Sequence, residues 1–329
     1  MEKIVKKALL GTILSIAVII ILMTLFDVKI SDVLAVGLTP FIISTFLIIL
    51  TLIVRGLRFY SLVKNYQNDL KVGFGESILV RTASEFIALI SPSFIGDEAF
   101  RLGWLTKRGV NAGKALWIAY MEIFCDVIVG TTLSLVSSIY FVFEGAYIFG
   151  AIIGVIALFV LLIHVFFIIY MRKNRISIPK VITNLMVKLF KKKGERLIES
   201  MLNALKEFSE LTKGILKETS LKLITFNVFL TILMAVLMGT SLNVLLDAVG
   251  VKIGLFTSIL IVYAAIALAT LPITIGGSGL TEIGVAFSVL SIAGSSPWNA
   301  VLVWRIASYH IPLILTGLTL IVVLFKLKH

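Results

Sequence analysis

Long apolar runs, divided by short polar stretches, set the pattern of this chain. Residues 8–26 are apolar after Lys3, Lys6 and Lys7, and residues 34–54 carry no charge before Arg55, Arg58, Lys64 and Lys71. Runs at 115–143, 146–171, 223–246 and 298–325 bring the total to six. Each is close to or above the roughly 20 residues that a helix needs to cross a hydrocarbon core about 30 Å thick. Two further apolar segments, 77–104 and 253–293, are interrupted. The first break reads Ile90-Ser91-Pro92-Ser93-Phe94-Ile95-Gly96-Asp97-Glu98-Ala99-Phe100-Arg101; the second reads Leu271-Pro272-Ile273-Thr274-Ile275-Gly276-Gly277-Ser278-Gly279-Leu280-Thr281-Glu282. Pro92 and Pro272 remove a backbone donor, and Gly96 and Gly279 permit a reversal. A chain that breaks at membrane depth must satisfy the freed backbone groups against protein or a wet cavity. The pattern predicts an all-α polytopic membrane protein with about six full spans and two helical hairpins that enter and leave on one side.

Basic residues orient these elements, because cytoplasmic loops are enriched in Lys and Arg. Lys3, Lys6 and Lys7 place the N-terminus inside, and Arg101, Lys107, Arg108 and Lys114 return the chain to the same side after the first break. Lys252 is the sole basic residue of the loop after the fifth span, and Lys326 and Lys328 put the C-terminus inside. The hairpins at 77–104 and 253–293 then point into the membrane from opposite faces. A weak internal repeat agrees: Ser77-Ile78-Leu79-Val80 resembles Ser258-Ile259-Leu260-Ile261, Pro92 to Gly96 resembles Pro272 to Gly276, and Gly109 before Ala115 resembles Gly294 before Ala300. Opposite parity makes the repeat inverted, an architecture in which transporters bind substrate at the repeat interface. The organisation is one membrane domain over 1–329. It comprises a first span (1–33), repeat 1 (34–145), a fourth span (146–171), a cytoplasmic segment (172–220) and repeat 2 (221–329).

Within 172–220, Leu197, Ile198, Met201, Leu202, Leu205, Phe208, Leu211 and Ile215 recur at helical spacing, with Lys188, Lys191, Lys192, Lys193 and Arg196 nearby. This predicts an amphipathic helix that lies on anionic headgroups or packs on the membrane body. Composition is compatible with nothing soluble of this size: 59% of residues are hydrophobic and 15% charged, against about a quarter charged in soluble domains. The net charge of +12 is explained by cytoplasmic loops, so no nucleic-acid partner is expected. Cys125 stands alone and excludes a disulfide within the chain. No small-x-small cleavage site follows residues 8–26, so that run reads as a retained span.

Charged residues within spans are candidates for function because their burial in lipid is costly. Glu122 and Asp126 share one helix face and need a cation, a proton or a partner such as Arg101 or Arg305. Arg305 lies near the position matching Tyr120, and His310 follows it. Arg81 and Glu85 can form a structural pair at i,i+4 or join a functional set. Asp97 and Glu98 can cap the helix after the first break, while Arg101 suits a lipid phosphate. Gly276 and Gly277 put backbone N–H groups ahead of a helix that begins near Glu282, a place for an anion, although close helix packing uses the same residues. No phosphate-loop, CxxC or HExxH motif is present, and the histidines are scattered, so neither cofactor nor metal is expected.

With these residues in view, the chain resembles the flippase-like family of the lysylphosphatidylglycerol synthase transmembrane region. The two break motifs and the stretch from Arg305 through Pro312 to Gly317 carry the resemblance. It implies translocation of a phospholipid or lipid-linked headgroup between leaflets of the cell membrane, with anionic or polyprenyl-phosphate lipids as partners and no enzymatic activity. No aminoacyl-transferase domain follows the last span, so synthesis of a lysyl-lipid is not expected. A substrate path lined by Arg101, Asp97, Glu98, Glu122, Asp126, Gly276, Gly277, Glu282 and Arg305 follows from that implication. An intramembrane lipid-modifying enzyme, a membrane partner of a glycosyltransferase and a homo-oligomeric assembly stay open as alternatives.

Overall fold

The computed structural model describes residue 13 and residues 16–92, 96–172, 183–184, 192–295 and 297–326. The basic N-terminus, Ser93-Phe94-Ile95, the side chains of Lys188, Lys191, Lys192, Lys193, Arg196 and Leu197, and the C-terminal Lys328 lie outside the described set. The described chain is helical: α1 (Ile16–Leu25), α2 (Ile30–Ala35), α3 (Leu38–Tyr66), α4 (Phe74–Leu89), α5 (Asp97–Lys107), α6 (Ala112–Phe143) and α7 (Tyr147–Arg172). There follow α8 (Lys192–Lys213), α9 (Glu218–Ala248), α10 (Leu255–Ala269), α11 (Leu280–Ala293), α12 (Trp298–Arg305) and α13 (Ile311–Lys326). A π-helical turn, Ile306–His310, joins the last two without a break.

Five helical stretches among the described residues are long and apolar enough to cross a membrane: α3, α6, α7, α9 and the continuous α12–α13. Exposed Ile, Leu and Phe side chains on α3, α7, α9 and α13 form the outer surface, which suits lipid rather than water. The chain is therefore a multi-pass membrane protein. The first predicted span falls partly outside the described residues, leaving Ile16–Leu25 as its visible part. The second span differs from expectation at its end. Arg55 and Arg58, expected to mark the end of the span, lie inside α3, which continues to Tyr66. Their charge did not end the helix because each finds a carboxylate, as described below.

The two helix–break–helix segments are α4–α5 and α10–α11, and their local geometry repeats. Gly73 and Gly254 precede them in extended backbone, and the Ser77 and Ser258 hydroxyls bond back to the Gly73 and Gly254 carbonyls at 3.2 and 3.3 Å. Gly56 of α3 lies against Ile78, and Gly239 of α9 lies against Ile259. A Cβ at either glycine would come within 2.7 Å of the isoleucine. Such contacts let backbones approach closely, as small residues do in membrane helix pairs. Both second arms end in a left-handed glycine, Gly109 and Gly294, before a helix whose Ala115 or Ala300 is fully buried.

Polar contacts bind the frame between the two segments. Ser44 and Ser241 share a 2.7 Å hydrogen bond between α3 and α9, and Ser134 and Ser137 of α6 donate to the Tyr263 and Leu260 carbonyls of α10. The segment before α9 resolves one open alternative: α8 packs on the membrane body. Phe208 inserts against Trp117 and Tyr120 of α6, with ring centroids 5.3 Å away in both cases, and Ser209 donates to the Met171 carbonyl.

Candidate functional site

The two breaks meet. Pro92 and Ile275 form an isolated antiparallel bridge, and the Gly276 N–H donates to the Ser91 carbonyl at 3.3 Å. The Tyr309 hydroxyl, from the π-helical turn, donates to the Leu89 carbonyl at 2.9 Å. Backbone groups freed by each break are thus satisfied by the other break and by a buried tyrosine, which a membrane interior requires. Gly276 sits at the closest approach. Its φ is +57°, and a Cβ there would lie 2.3 Å from the Tyr309 ring and 2.7 Å from the Leu89 oxygen.

Behind the first break lies a network of buried charge. Asp97 opens α5 and pairs with Arg101 one turn later; Arg81 of α4 approaches the same carboxylate at 3.2 Å. Glu122 of α6 receives Arg81 at 3.2 Å and Arg101 at 3.1 Å on its two oxygens. Arg81 also reaches Glu85 at 2.8 Å, and Glu85 lies 3.4 Å from Arg55. Asp126, one turn from Glu122, takes Arg58 at 2.5 Å, while Arg58 donates to the Glu122 carbonyl at 2.8 Å. Ser84 bonds to both Arg81 and Arg101. Arg55, Arg58, Arg81 and Arg101 thus face Glu85, Asp97, Glu122 and Asp126, and the formal charges cancel. Such balance is a condition for burying charge, since leaving one ion unpaired costs about 3–5 kcal/mol. The network reaches the surface at one end, where Asp126 is 39% and Arg55 26% exposed, against 1% for Glu122 and Arg101.

A smaller network backs the second break. Arg305 of α12 donates from Nε to Glu282 at 3.0 Å and from Nη2 to the Gly276 carbonyl at 2.6 Å. It lies over the Tyr309 ring, 4.2 Å from the centroid. The other Glu282 oxygen accepts the Gly279 N–H at 2.8 Å, so the anion at the start of α11 is the chain's own carboxylate. Gly277 accepts the Thr281 N–H and hydroxyl, both at 3.0 Å. In each half, a buried Arg–Glu pair ties the second arm to the helix that follows. Arg101 meets Glu122 in one and Glu282 meets Arg305 in the other, with the signs exchanged.

The structure therefore gathers Asp97, Arg101, Glu122 and Asp126 into one network, and Gly276, Glu282 and Arg305 into another. Arg305 is not the partner of Glu122 or Asp126: Arg81, Arg101 and Arg58 are. Glu98 sits at the edge of the first network, its side chain hydrogen-bonded to Asp97 and one oxygen on the Gly96 N–H at 3.1 Å. Pro92 is in the bridge between breaks, Gly96 turns at φ +120°, Gly279 at +87°, and Pro272 is exposed. Sequence reasoning missed Arg55 and Arg58. Their spacing of three on one helical face was the available signal; Arg58 meets Asp126 of α6 and Arg55 meets Glu85 of α4.

Crossing helices, two interrupted segments joined at their breaks and buried balanced charge define a polytopic helical membrane protein. The profile of the lysylphosphatidylglycerol synthase TM region matches residues 9–316, and the chain belongs to that family. A relative described as "UPF0104 membrane protein", from Archaeoglobus fulgidus, is 25% identical over 257 residues, covering 76% of each chain.

Proposed function

We propose that this protein moves a phospholipid or a lipid-linked headgroup between leaflets, past the junction of its two breaks. One observation carries the reading: among the described residues, the breaks of two separate repeats are joined by a backbone bridge and an N–H···O contact, backed on both sides by buried arginine–carboxylate pairs. Because these contacts join the breaks rather than the long helices, the junction can part without disrupting the helices around it. Family membership supports a lipid-related role.

In this reading α4–α5 enters from the cytoplasmic face and α10–α11 from the outer face, with both termini cytoplasmic. A headgroup phosphate approaches the exposed end of the first network and takes Arg55 or Arg58 from its carboxylate. Guanidinium binds phosphate and carboxylate through the same planar fork, so the exchange preserves hydrogen bonding. Arg305 offers the corresponding group on the far side of the junction, with Glu282 as its resting partner. The acyl chains stay in lipid, which spares the cost of carrying charge through hydrocarbon.

The test is purified protein in liposomes carrying headgroup-labelled lipid, with label accessibility scored by a membrane-impermeant reductant. Wild type should expose inner-leaflet label faster than protein-free liposomes do. Arg305→Lys and Asp126→Asn variants that retain a wild-type melting temperature should be at least about tenfold slower, the effect of one lost charge-assisted contact. Wild-type rates in both folded variants would remove the networks from the path.

A further inference from the structure

Away from both networks, a cavity of about 510 Å³ opens where the start of α4, the end of α5 and the end of α13 converge. Its volume falls within the roughly 300–1,000 Å³ typical of small-molecule sites. The inner wall is apolar: Leu79, Val80, Trp104 and Val323. The rim carries Arg108, Glu76 and Lys326. Gly75 lines the cavity as well, and a Cβ placed on it would meet nothing within 4 Å. The missing side chain keeps this space open.

The rim groups are not equivalent. Arg108 stacks over the Trp104 ring at 5.0 Å and pairs with Glu76, both partners being about one-third exposed. Lys326, the last residue of α13, has no ion pair among the described residues. The rim thus holds two cations against one carboxylate, an excess of one positive charge at the mouth of an apolar chamber. Exposed pairs such as Arg108–Glu76 contribute about 0–1 kcal/mol, so an incoming anion displaces Glu76 readily. The α13 face beside the mouth exposes Ile321, Val322 and Phe325, so the chamber opens beside an apolar outer surface.

We propose that this cavity binds an anionic phospholipid of the surrounding leaflet, one acyl chain against Trp104 and Val323 and its phosphate between Arg108 and Lys326. Polar head and apolar tail match the two zones of the lining, and the excess charge selects an anionic headgroup over a zwitterionic one. Trp and Arg at this level suit a membrane interface, where one end of the ligand is wet and the other apolar. The site is separate from the junction of the breaks, and a lipid held here is not required to be cargo.

Native mass spectrometry of the full chain, released from micelles with added phosphatidylglycerol, phosphatidylcholine or sn-glycerol 1-phosphate, tests the assignment. Wild type should retain phosphatidylglycerol about tenfold better than phosphatidylcholine, and glycerol phosphate should not be retained. Gly75→Leu fills the chamber and should abolish the preference. Lys326→Glu, at an exposed helix end where folding is insensitive, should reduce retention of phosphatidylglycerol about tenfold. Equal retention of the two phospholipids by wild type, or unchanged selectivity in both variants, overturns the proposal. Retention of glycerol phosphate alone would mean a headgroup site without the acyl chamber, and also overturns it. Because the readout is binding, a failed translocation assay leaves this result standing, and the reverse also holds.

Discussion

Gly276 shows how one residue carries the junction. Its carbonyl holds Arg305, its N–H holds Ser91, and its missing side chain admits Tyr309 and Leu89. Gly276→Ala adds left-handed strain and a methyl group into filled space. It should lower stability by about 2 kcal/mol or more, read as a reduced melting temperature in detergent. The Arg305–Glu282 pair invites a different experiment. Removing either partner strands a buried charge at about 3–5 kcal/mol, whereas replacing both by Met leaves none. The double variant should therefore be more stable than either single variant, with a coupling of about 0.5–3 kcal/mol in thermal unfolding. Strictly additive losses would mean that the two side chains do not form a pair.

At the scale of elements, the break motifs were legible because Pro and Gly act locally, on the backbone that carries them. Helix ends set by local signals were also close: 298–325 was expected and Trp298–Lys326 is observed. What failed was set by distant partners. Arg55 and Arg58 looked like the end of a span, yet α3 runs on past them, because Asp126 and Glu85 neutralise them from other helices. No window of sequence around Arg58 contains Asp126. The same holds for the division of site residues into two networks, since an arginine's choice between carboxylates is made by packing. The bridge of Pro92 to Ile275 offers an element-scale test. Opposed antiparallel residues have Cα atoms about 4.5–5.5 Å apart, within disulfide reach. A Pro92→Cys/Ile275→Cys variant should cross-link on oxidation, seen as a mobility shift on gels; no cross-link would mean that the breaks are not in contact.

For the whole molecule, the repeated geometry around Gly56 and Gly239 and the exchanged Arg–Glu pairs describe two halves that close on one another at their breaks. An inverted arrangement makes a labelling prediction. Cysteines introduced singly at Gly145 and Lys252 should react with impermeant maleimide from outside intact cells, and cysteines at Lys107 and Lys213 should react only after permeabilisation. Labelling of all four from one side would remove the opposite parity of the repeats. The central claim is that lipid passes where the breaks meet, and the cross-linkable pair tests it most directly. Headgroup-labelled lipid in proteoliposomes of the Pro92→Cys/Ile275→Cys variant should lose its inner-leaflet protection rapidly under reducing conditions, keep it after oxidation, and lose it again once reductant is restored. Equal rates in the oxidised and reduced states would contradict passage at the junction. No acceleration over empty liposomes, with anionic, zwitterionic and polyprenyl-phosphate lipids alike, would contradict translocation itself.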